Sequence, residues 1–205
     1  MLRVHAIPYS TNVERVALAA AHKGLEVEWV EHDPADRSAI RSVSGQDLVP
    51  VAEFGEEVVA DSMRILERLE ALHPEPALYP ADPAQRARLD VFVAWFNRVW
   101  KAAPNLIEAE EARPAPDLAL TASEGEALAA SRDVFEGLLW EGPYLLGEAL
   151  TAADLCAFPF LKWAAVDAAP PAAPRFEHIL VEHLAPLHSH PRLRTWIERI
   201  DRLPR

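Results

Sequence analysis

The apolar positions near the start of the chain switch between two periods. Residues 2–6 alternate apolar and polar side chains, which is typical of a short strand. Apolar side chains then recur at helical spacing and predict a first helix over residues 12–23. Thr11 and Glu14 have the spacing of a capping box at its start, and Gly24 is a typical stop signal.

The next residues continue this alternation of strands and helices. Residues 25–31 predict a second strand, and a weaker helical pattern covers residues 34–43. Two short runs, 49–53 and 57–60, predict a hairpin, and a third helix starts near Ser62. The predicted order is β-α-β, then a helix, then β-β-α, which is typical of a thioredoxin-like domain.

A proline-rich stretch separates this region from a purely helical one. Prolines at positions 74, 76, 80 and 83 interrupt any regular element, and we take residues 76–83 as a linker. Beyond it, apolar side chains trace helices over residues 89–100 and near 120–140, 151–165, 176–187 and 191–203. We therefore expect an α/β plus all-α protein: residues 1–75 form a thioredoxin-like domain with a mixed four-stranded sheet, and residues 84–205 form a helical bundle.

Composition and charge narrow the classes of partner. The chain has 20 Lys and Arg against 32 Asp and Glu, and its net charge of −12 is not interrupted by a basic run. We therefore expect neither nucleic acid nor a membrane as a partner. The single cysteine, Cys156, cannot form an internal disulfide, and the chain opens without an apolar signal core, so we expect a cytoplasmic protein.

Hydroxyl side chains crowd the start of the first helix, at Tyr9, Ser10 and Thr11. Free backbone N–H groups and the helix dipole favour an anion at this place. Ser10 could donate a hydrogen bond to a ligand thiolate. Lowering a thiol pKa by about two units requires about 2.7 kcal/mol, and one hydrogen bond to a charged group contributes about 1.5 to 3 kcal/mol. The alternative, that Ser10 and Thr11 only cap the helix, stays open.

Two further motifs could bind the other groups of a thiol-containing peptide. Pro50 stands where a strand begins, and a cis Val49–Pro50 bond would turn the peptide groups of Val49 toward an added ligand strand. Ser62 opens the third helix, where its N–H and hydroxyl could hold a carboxylate, while Asp61 could accept from an ammonium group. Together, Asp61 and Ser62 suit the zwitterionic end of an amino acid.

Over essentially its whole length, the chain resembles the soluble glutathione S-transferases. In that family a hydroxyl or cysteine five residues before an arginine of the first helix meets the glutathione sulfur, and the position of Arg15 gives this role to Ser10. By the same resemblance, Val49–Pro50 matches the cis-proline motif and Asp61–Ser62 the motif that holds the γ-glutamyl end.

The second half of the chain supports the resemblance. The segment GEALTAADL resembles a folding motif of the family, in which Thr151 and Asp154 form a capping box. The ending HPRLRTWIERIDRLPR resembles the family's last helix. Both are structural features, and we expect neither Thr151 nor Asp154 to touch a substrate.

The resemblance implies a glutathione transferase, with glutathione as co-substrate, a small hydrophobic electrophile as second substrate and a homodimeric assembly. The chain is similar to serine-type bacterial members. Because Ser10 replaces the nucleophilic cysteine of related oxidoreductases, glutathione-dependent disulfide reduction is not expected. Two alternatives remain: a non-catalytic ligand-binding or protein-interaction module, and a glutathione-dependent isomerase or dehalogenase.

Two other groups of side chains have competing interpretations. Some aromatic side chains of the fourth helix are expected to line an apolar substrate cleft, and the alternative is an ordinary core: Phe92, Trp95, Phe96 and Trp100. His183, His188 and His190 lie close together near two prolines. No further ligand completes a plausible set at helical spacing, so we expect a solvated turn and no metal site.

Overall fold

The computed structural model describes residues 2–205, which divide into two compact units. The first unit comprises residues up to 80 together with residues 203–205, and the second comprises residues 81–202. The first contains strands and helices, and the second is helical.

The described part of the first unit contains a four-stranded mixed sheet, as predicted, in the order β2-β1-β3-β4. Strand β1 pairs in parallel with β2 and antiparallel with β3, and β3 pairs antiparallel with β4. The strands are β1 (Leu2–Ala6), β2 (Val27–Glu31), β3 (Val51–Phe54) and β4 (Glu57–Ala60). Three helices accompany them: α1 (Thr11–His22), α2 (Ser38–Ser44) and α3 (Ser62–Leu72).

The register of the strands brings three chain segments to the same end of the sheet. His5 of β1 pairs with Val51 of β3, and Val51 pairs with Ala60 of β4. The end of β1, the start of β3 and the end of β4 therefore lie side by side. The loop before α1, the Val49–Pro50 pair and the start of α3 all emerge at this end.

An apolar cluster underlies that end of the sheet. Ile40, Val49 and Val51 are buried together, and four partly buried side chains pack against them: Ile7, Val13, Val43 and Ala60. Members of the cluster stand next to each of the three segments, so their backbone is fixed by packing against a close-packed interior.

Helix α2 begins at Ser38 and not at residue 34 as predicted. The reason is local hydrogen bonding by two aspartates. Oδ1 of Asp33 accepts from the N–H of Ala35 at 2.8 Å, and Oδ1 of Asp36 accepts from the N–H of Ser38 at 2.9 Å. Such side-chain turns compete with helix formation.

The second unit is a bundle of helices, as predicted. Its α-helices are α4 (Pro83–Trp95), α5 (Ala102–Glu111), α6 (Leu118–Leu138), α7 (Ala152–Leu161), α8 (Arg175–Leu184) and α9 (Pro191–Asp201). A π-helical turn, Phe96–Trp100, follows α4, and a 3₁₀ turn, Lys162–Ala165, follows α7. Helix α5 is absent from the prediction, and Pro104 in its first turn, a position that tolerates proline, weakens its sequence signal. None of the helices described in residues 2–205 is long and apolar enough to cross a membrane.

For three of the four aromatic side chains of α4 and the π-helical turn, the structure favours the alternative of an ordinary core. Phe92, Phe96 and Trp100 are buried within the helical unit. Phe96 stacks on Trp100 with ring centroids 4.5 Å apart, and it meets Phe160 of α7 edge-on at 5.4 Å. These rings therefore form a core in preferred aromatic geometries.

Candidate functional site

Ser10 is the N-cap of α1. Its backbone is extended, with φ −71° and ψ 110°, and its Oγ accepts a hydrogen bond from the N–H of Val13 at 3.3 Å. The predicted capping box of Thr11 and Glu14 is therefore wrong: Thr11 is already the first helical residue and is buried. Serine caps a helix at least as well as threonine. Glu14 instead pairs with Nε of Arg205 at 3.0 Å.

The hydrogen bond from the N–H of Val13 determines which hydrogen bonds the Ser10 hydroxyl can make to a ligand. A serine hydroxyl has one proton to donate and two lone pairs that accept. The bond from the N–H of Val13 uses a lone pair, and the proton can be donated to a ligand. The Ser10 side chain is half-buried, so a ligand can reach it. The sequence interpretations of capping and of anion binding are therefore compatible.

Val49 and Pro50 lie directly before β3, at the same end of the sheet as Ser10. Both residues are buried, and Val49 packs in the apolar cluster with Ile40 and Val51. The Val49–Pro50 peptide bond is cis, as the sequence predicts. Strand β3 begins at Val51, so Val49 lies just outside the ladder that joins β3 to its neighbours.

Asp61 is the N-cap of α3, a role that sequence analysis missed. Its Oδ1 accepts from the N–H of Met63 at 2.9 Å and from the N–H of Arg64 at 3.2 Å. Both bonds end on the same oxygen, so Oδ2 of this exposed carboxylate can accept from a ligand. The signal was available, because aspartate directly before a predicted helix is a preferred cap.

Ser62 is the first residue of α3, as predicted, and only 3% of its surface is exposed. Its Oγ accepts a hydrogen bond from Nη1 of Arg15 at 3.2 Å. Arg15 lies on α1 and is 1% exposed. This contact is not predictable from the sequence, since no sequence pattern distinguishes a buried arginine from a solvated one.

The residues directly before Ser10 and Ser62 have strained backbone conformations. Within residues 2–205, two non-glycine residues have a left-handed φ: Tyr9 at 60° and Asp61 at 80°. Each stands directly before one of the serines, Ser10 or Ser62. Such conformations cost on the order of 1 to 3 kcal/mol each, and they concentrate at functional sites. Tyr9 is 43% exposed.

A network of charged and histidine side chains crosses the strands beside this end of the sheet. Nδ1 of His5 lies 2.8 Å from Nε2 of His32, and Nε2 of His5 lies 2.9 Å from Oε1 of Glu53. The hydrogen bond from His5 holds the pKa of Glu53 below its usual value, and Arg3 adds a further attraction. This network links β1, β3 and the residue after β2.

The histidines of the second unit do not assemble with other ligands. Nε2 of His190 lies 3.0 Å from Oδ1 of Asp133, and Nδ1 lies 3.2 Å from Oγ of Ser189. Among residues 2–205, no group of three or more His, Cys, Asp or Glu side chains is arranged to hold a metal ion.

Comparison with known proteins gives family matches along most of the chain. The model of the glutathione S-transferase N-terminal domain matches residues 4–77, and that of the C-terminal domain matches residues 83–199. FtsZ-localized protein A of Caulobacter vibrioides (strain NA1000 / CB15N) is 31% identical over 78% of this chain and 75% of its own. Maleylpyruvate isomerase of Ralstonia sp is 30% identical over 71% of this chain and 74% of its own.

Solved structures share the same fold. A glutathione transferase homologue from Sulfitobacter, solved with bound glutathione, superposes with a TM-score of 0.77 over 98% of this chain and 93% of its own. The two sequences are 21% identical, so this likeness concerns the fold. The family matches, by contrast, cover both halves of the sequence, and the chain belongs to the glutathione S-transferase family.

Proposed function

We propose that this protein is a glutathione transferase in which Ser10 stabilises the glutathione thiolate. The observation that carries the proposal is the Ser10 hydroxyl, which caps α1 through a lone pair and keeps its proton for an anion. The N-terminus of α1 adds a favourable electrostatic contribution of about 0.3 to 1 kcal/mol.

The polar groups at this end of the sheet fit the whole of glutathione. In the proposal, the backbone of Val49 beside Pro50 pairs with the peptide of glutathione. Oδ2 of Asp61 accepts from the γ-glutamyl ammonium, and the N–H and hydroxyl of Ser62 donate to the γ-glutamyl carboxylate. Glutathione supplies the sulfur nucleophile of the reaction.

Ser10 contributes to the reaction by favouring the thiolate over the thiol. A hydrogen bond to the anion lowers the pKa of the thiol, and the released proton passes to solvent. In a conjugation, the sulfur then forms a bond to an electrophilic carbon while the leaving group departs with its electron pair. Because Ser10 forms no covalent bond, it is unchanged at the end of the turnover.

In the proposal, the two domains have different roles. Residues 1–75 hold glutathione, residues 84–205 contribute to the choice of a small hydrophobic electrophile, and residues 76–83 connect them. The family's homodimeric assembly and a cytoplasmic location complete the proposal. Its serine-type character depends on the role of Ser10.

Two relatives favour alternative uses of the same fold. The relative named maleylpyruvate isomerase favours a glutathione-dependent isomerase, which would use the same thiolate and differ only in the second substrate. The relative named FtsZ-localized protein A favours a protein-interaction module. The module would bind a protein such as FtsZ and would not need glutathione.

Calorimetric titration with glutathione, followed by turnover of a standard aryl halide, tests the proposal. The wild-type protein and the control Ser123→Ala, an exposed position of α6, should bind glutathione and conjugate the aryl halide. Ser10→Ala should retain binding and lose most of the turnover. Glutathione binding by the wild type without turnover of the aryl halide would favour the isomerase, and no binding by the wild type would favour the interaction module.

A further inference from the structure

The sheet of the first unit leaves the outer edge of β2 uncovered. In the order β2-β1-β3-β4, β2 stands at the end, and within residues 2–205 β1 is the one strand with which it pairs. Every residue of β2 is half-buried or exposed, whereas the neighbouring β1 is largely buried. Strand β2 therefore has an accessible edge to which another strand can add.

The backbone groups of this edge that point outward follow from one hydrogen bond. The N–H of His32, directly after β2, donates to the carbonyl of Ala6 at 2.9 Å. Successive residues of a parallel strand direct their N–H and C=O groups alternately toward and away from the neighbouring strand. By this alternation from His32, the outward-facing groups belong to Val27, Trp29 and Glu31. An extended peptide can pair with such a row of groups.

Trp29 stands at the centre of the edge and is 41% exposed. Charged side chains usually protect an edge strand against unwanted pairing, and the flanking Glu28 and Glu31 could serve that purpose. A large exposed ring does not, because it adds an apolar contact area where another chain would approach. Aromatic side chains are enriched in protein interfaces and contribute much of the binding energy there. Trp29 therefore favours a binding edge over an edge that is only protected.

The charges around the edge determine the kind of partner. Residues 24–36 contain no Lys or Arg and five acidic side chains, all of them exposed: Glu26, Glu28, Glu31, Asp33 and Asp36. Glu28 pairs with Arg3 at 3.0 Å, whereas within residues 2–205 Glu26 and Glu31 form no ion pair. A second copy of the chain would bring the same acidic edge opposite, and like charges facing each other across paired strands are destabilising. Charge complementarity therefore favours a basic segment of a different protein.

We propose that the outer edge of β2 binds an extended basic segment of a partner protein, which adds to the four-stranded sheet as a further strand. The backbone of the segment pairs with the outward groups of Val27, Trp29 and Glu31. An apolar or arginine side chain packs on the ring of Trp29, and lysine or arginine side chains meet Glu26 and Glu31. The binding needs no glutathione, because β1 separates β2 from β3 and β4, where the proposed glutathione contacts begin.

Fluorescence anisotropy with a labelled hexapeptide, in which valine alternates with lysine or arginine, tests the proposal. The wild type should bind this peptide, and Trp29→Ala and Glu31→Lys should each weaken binding about fivefold or more. Each variant has a matched control: Trp140→Ala removes an exposed tryptophan of the helical unit, and Glu126→Lys makes the same change of charge at an exposed position of α6. Both controls should bind within about twofold of the wild type. Melting temperatures of all variants report any loss of folding.

Amide hydrogen exchange of the wild type, followed by NMR with and without the peptide, distinguishes strand pairing from simple charge attraction. Saturating peptide should slow exchange about tenfold or more at Val27, Trp29 and Glu31. It should change exchange little at Glu28 and Val30, whose N–H groups already face β1. A peptide with the same side chains and every backbone N–H methylated should not bind, since it cannot pair with a strand.

The contrary outcomes are as distinct. Binding by Trp29→Ala and Glu31→Lys as tight as by their controls would overturn the proposal, because the peptide would lie elsewhere. Binding of the methylated peptide, or equal protection of all residues of β2, would overturn it by showing charge attraction without strand pairing. No binding by the wild type would overturn it as well. A dimer in sedimentation that dissociates in Trp29→Lys would make a second copy the occupant, against the proposal. Each of these results leaves the role of Ser10 unaffected.

Discussion

Nε1 of Trp196 donates a hydrogen bond to Oδ1 of Asp154 at 2.9 Å in the interior of the helical unit. Neither residue is exposed to solvent, and they lie 42 positions apart in sequence. The same carboxylate accepts from the N–H of Leu145 at 2.9 Å and from the N–H and hydroxyl of Thr151 at 2.9 and 3.1 Å. The predicted capping box of Thr151 and Asp154 is therefore confirmed, and it also anchors α9.

Asp154→Ala should destabilise the protein by about 3 to 5 kcal/mol, because it leaves several buried donors without an acceptor. Urea unfolding followed by circular dichroism measures the change. Thr195→Ala, an exposed position on α9, is the control and should change stability by less than about 0.5 kcal/mol. A loss below about 1 kcal/mol for Asp154→Ala would contradict the anchoring role.

Lys23 holds the chain segment that follows α3, at His73 and Pro76, by hydrogen bonds. Its side chain is fully buried, and Nζ donates to Oε2 of Glu70 at 2.6 Å and to the carbonyls of His73 and Pro76 at 2.7 and 2.9 Å. One buried ammonium therefore joins the end of α1 to α3 and to the segment after it.

Glu70, the partner of Lys23, also accepts hydrogen bonds from two backbone amides of the same segment. Its carboxylate accepts from the N–H groups of Leu78 and Tyr79 at 3.1 to 3.2 Å. Amide hydrogen exchange at Leu78 and Tyr79 should accelerate in Glu70→Ala and change little in the control Glu56→Ala, which lies in the exposed hairpin turn. Equal exchange rates in wild type and Glu70→Ala would argue against this role.

Glu177 should make the stability of the protein fall as pH rises. The residue is 3% exposed, and within residues 2–205 its Oε2 has no hydrogen-bond partner. Burial, reinforced by the nearby Glu108, raises its pKa from 4.5 to about 7. Between these values the native state binds more protons than the unfolded state, so the stabilisation by this group is present below about pH 4.5 and is lost as pH rises through about 7.

Glu177→Gln removes that titration. The variant should exceed the wild type in stability at pH 8 by at most about 3 kcal/mol, and the difference should shrink toward pH 5. Urea unfolding at pH 5, 6, 7 and 8 measures both proteins. Parallel pH profiles of wild type and Glu177→Gln would show that the group does not titrate in this range.

Gly125 allows α6 and α8 to approach closely. A Cβ at Gly125 would overlap Cε1 of the His183 side chain. Gly125→Ala should therefore destabilise the protein by about 1 to 3 kcal/mol through overpacking. Adding His183→Ala should recover most of that loss, whereas Gly137→Ala, a control with no atom within 4 Å of its Cβ, should be neutral or stabilising. Additive effects of Gly125→Ala and His183→Ala would be evidence against the contact.

The sequence predicted elements wherever periodicity and capping signals agreed. The order of strands, the start of α3 at Ser62 and the capping box at Thr151 followed from such local signals. The start of α2 was predicted too early. Asp33 and Asp36 form side-chain hydrogen bonds to the backbone that replace the first helical turn, and the sequence does not show which of the two conformations forms. The burial of Phe92, Phe96 and Trp100 could not be predicted. The spacing of apolar residues shows which side chains share a helix face, but not which other elements pack against that face.

At the candidate site, the sequence proposes residues, and the structure supplies their hydrogen-bond partners. Ser10 and Thr11 are equally good caps by composition, and only the backbone shows that Ser10 is the cap. The buried contact from Arg15 to Ser62 joins distant positions and leaves no local signal. The positive φ values of Tyr9 and Asp61 are likewise conformational facts that sequence alone does not carry.

In the proposed mechanism, the hydroxyl of Ser10 stabilises the glutathione thiolate. Ultraviolet difference absorbance of glutathione, recorded against pH with wild type, Ser10→Ala and Ser123→Ala, measures this stabilisation. We expect a thiolate signal at neutral pH in wild type and control, with the apparent pKa of the thiol raised by about one to two units in Ser10→Ala. A thiolate signal of the same apparent pKa in Ser10→Ala, or none in the wild type, would contradict the claim.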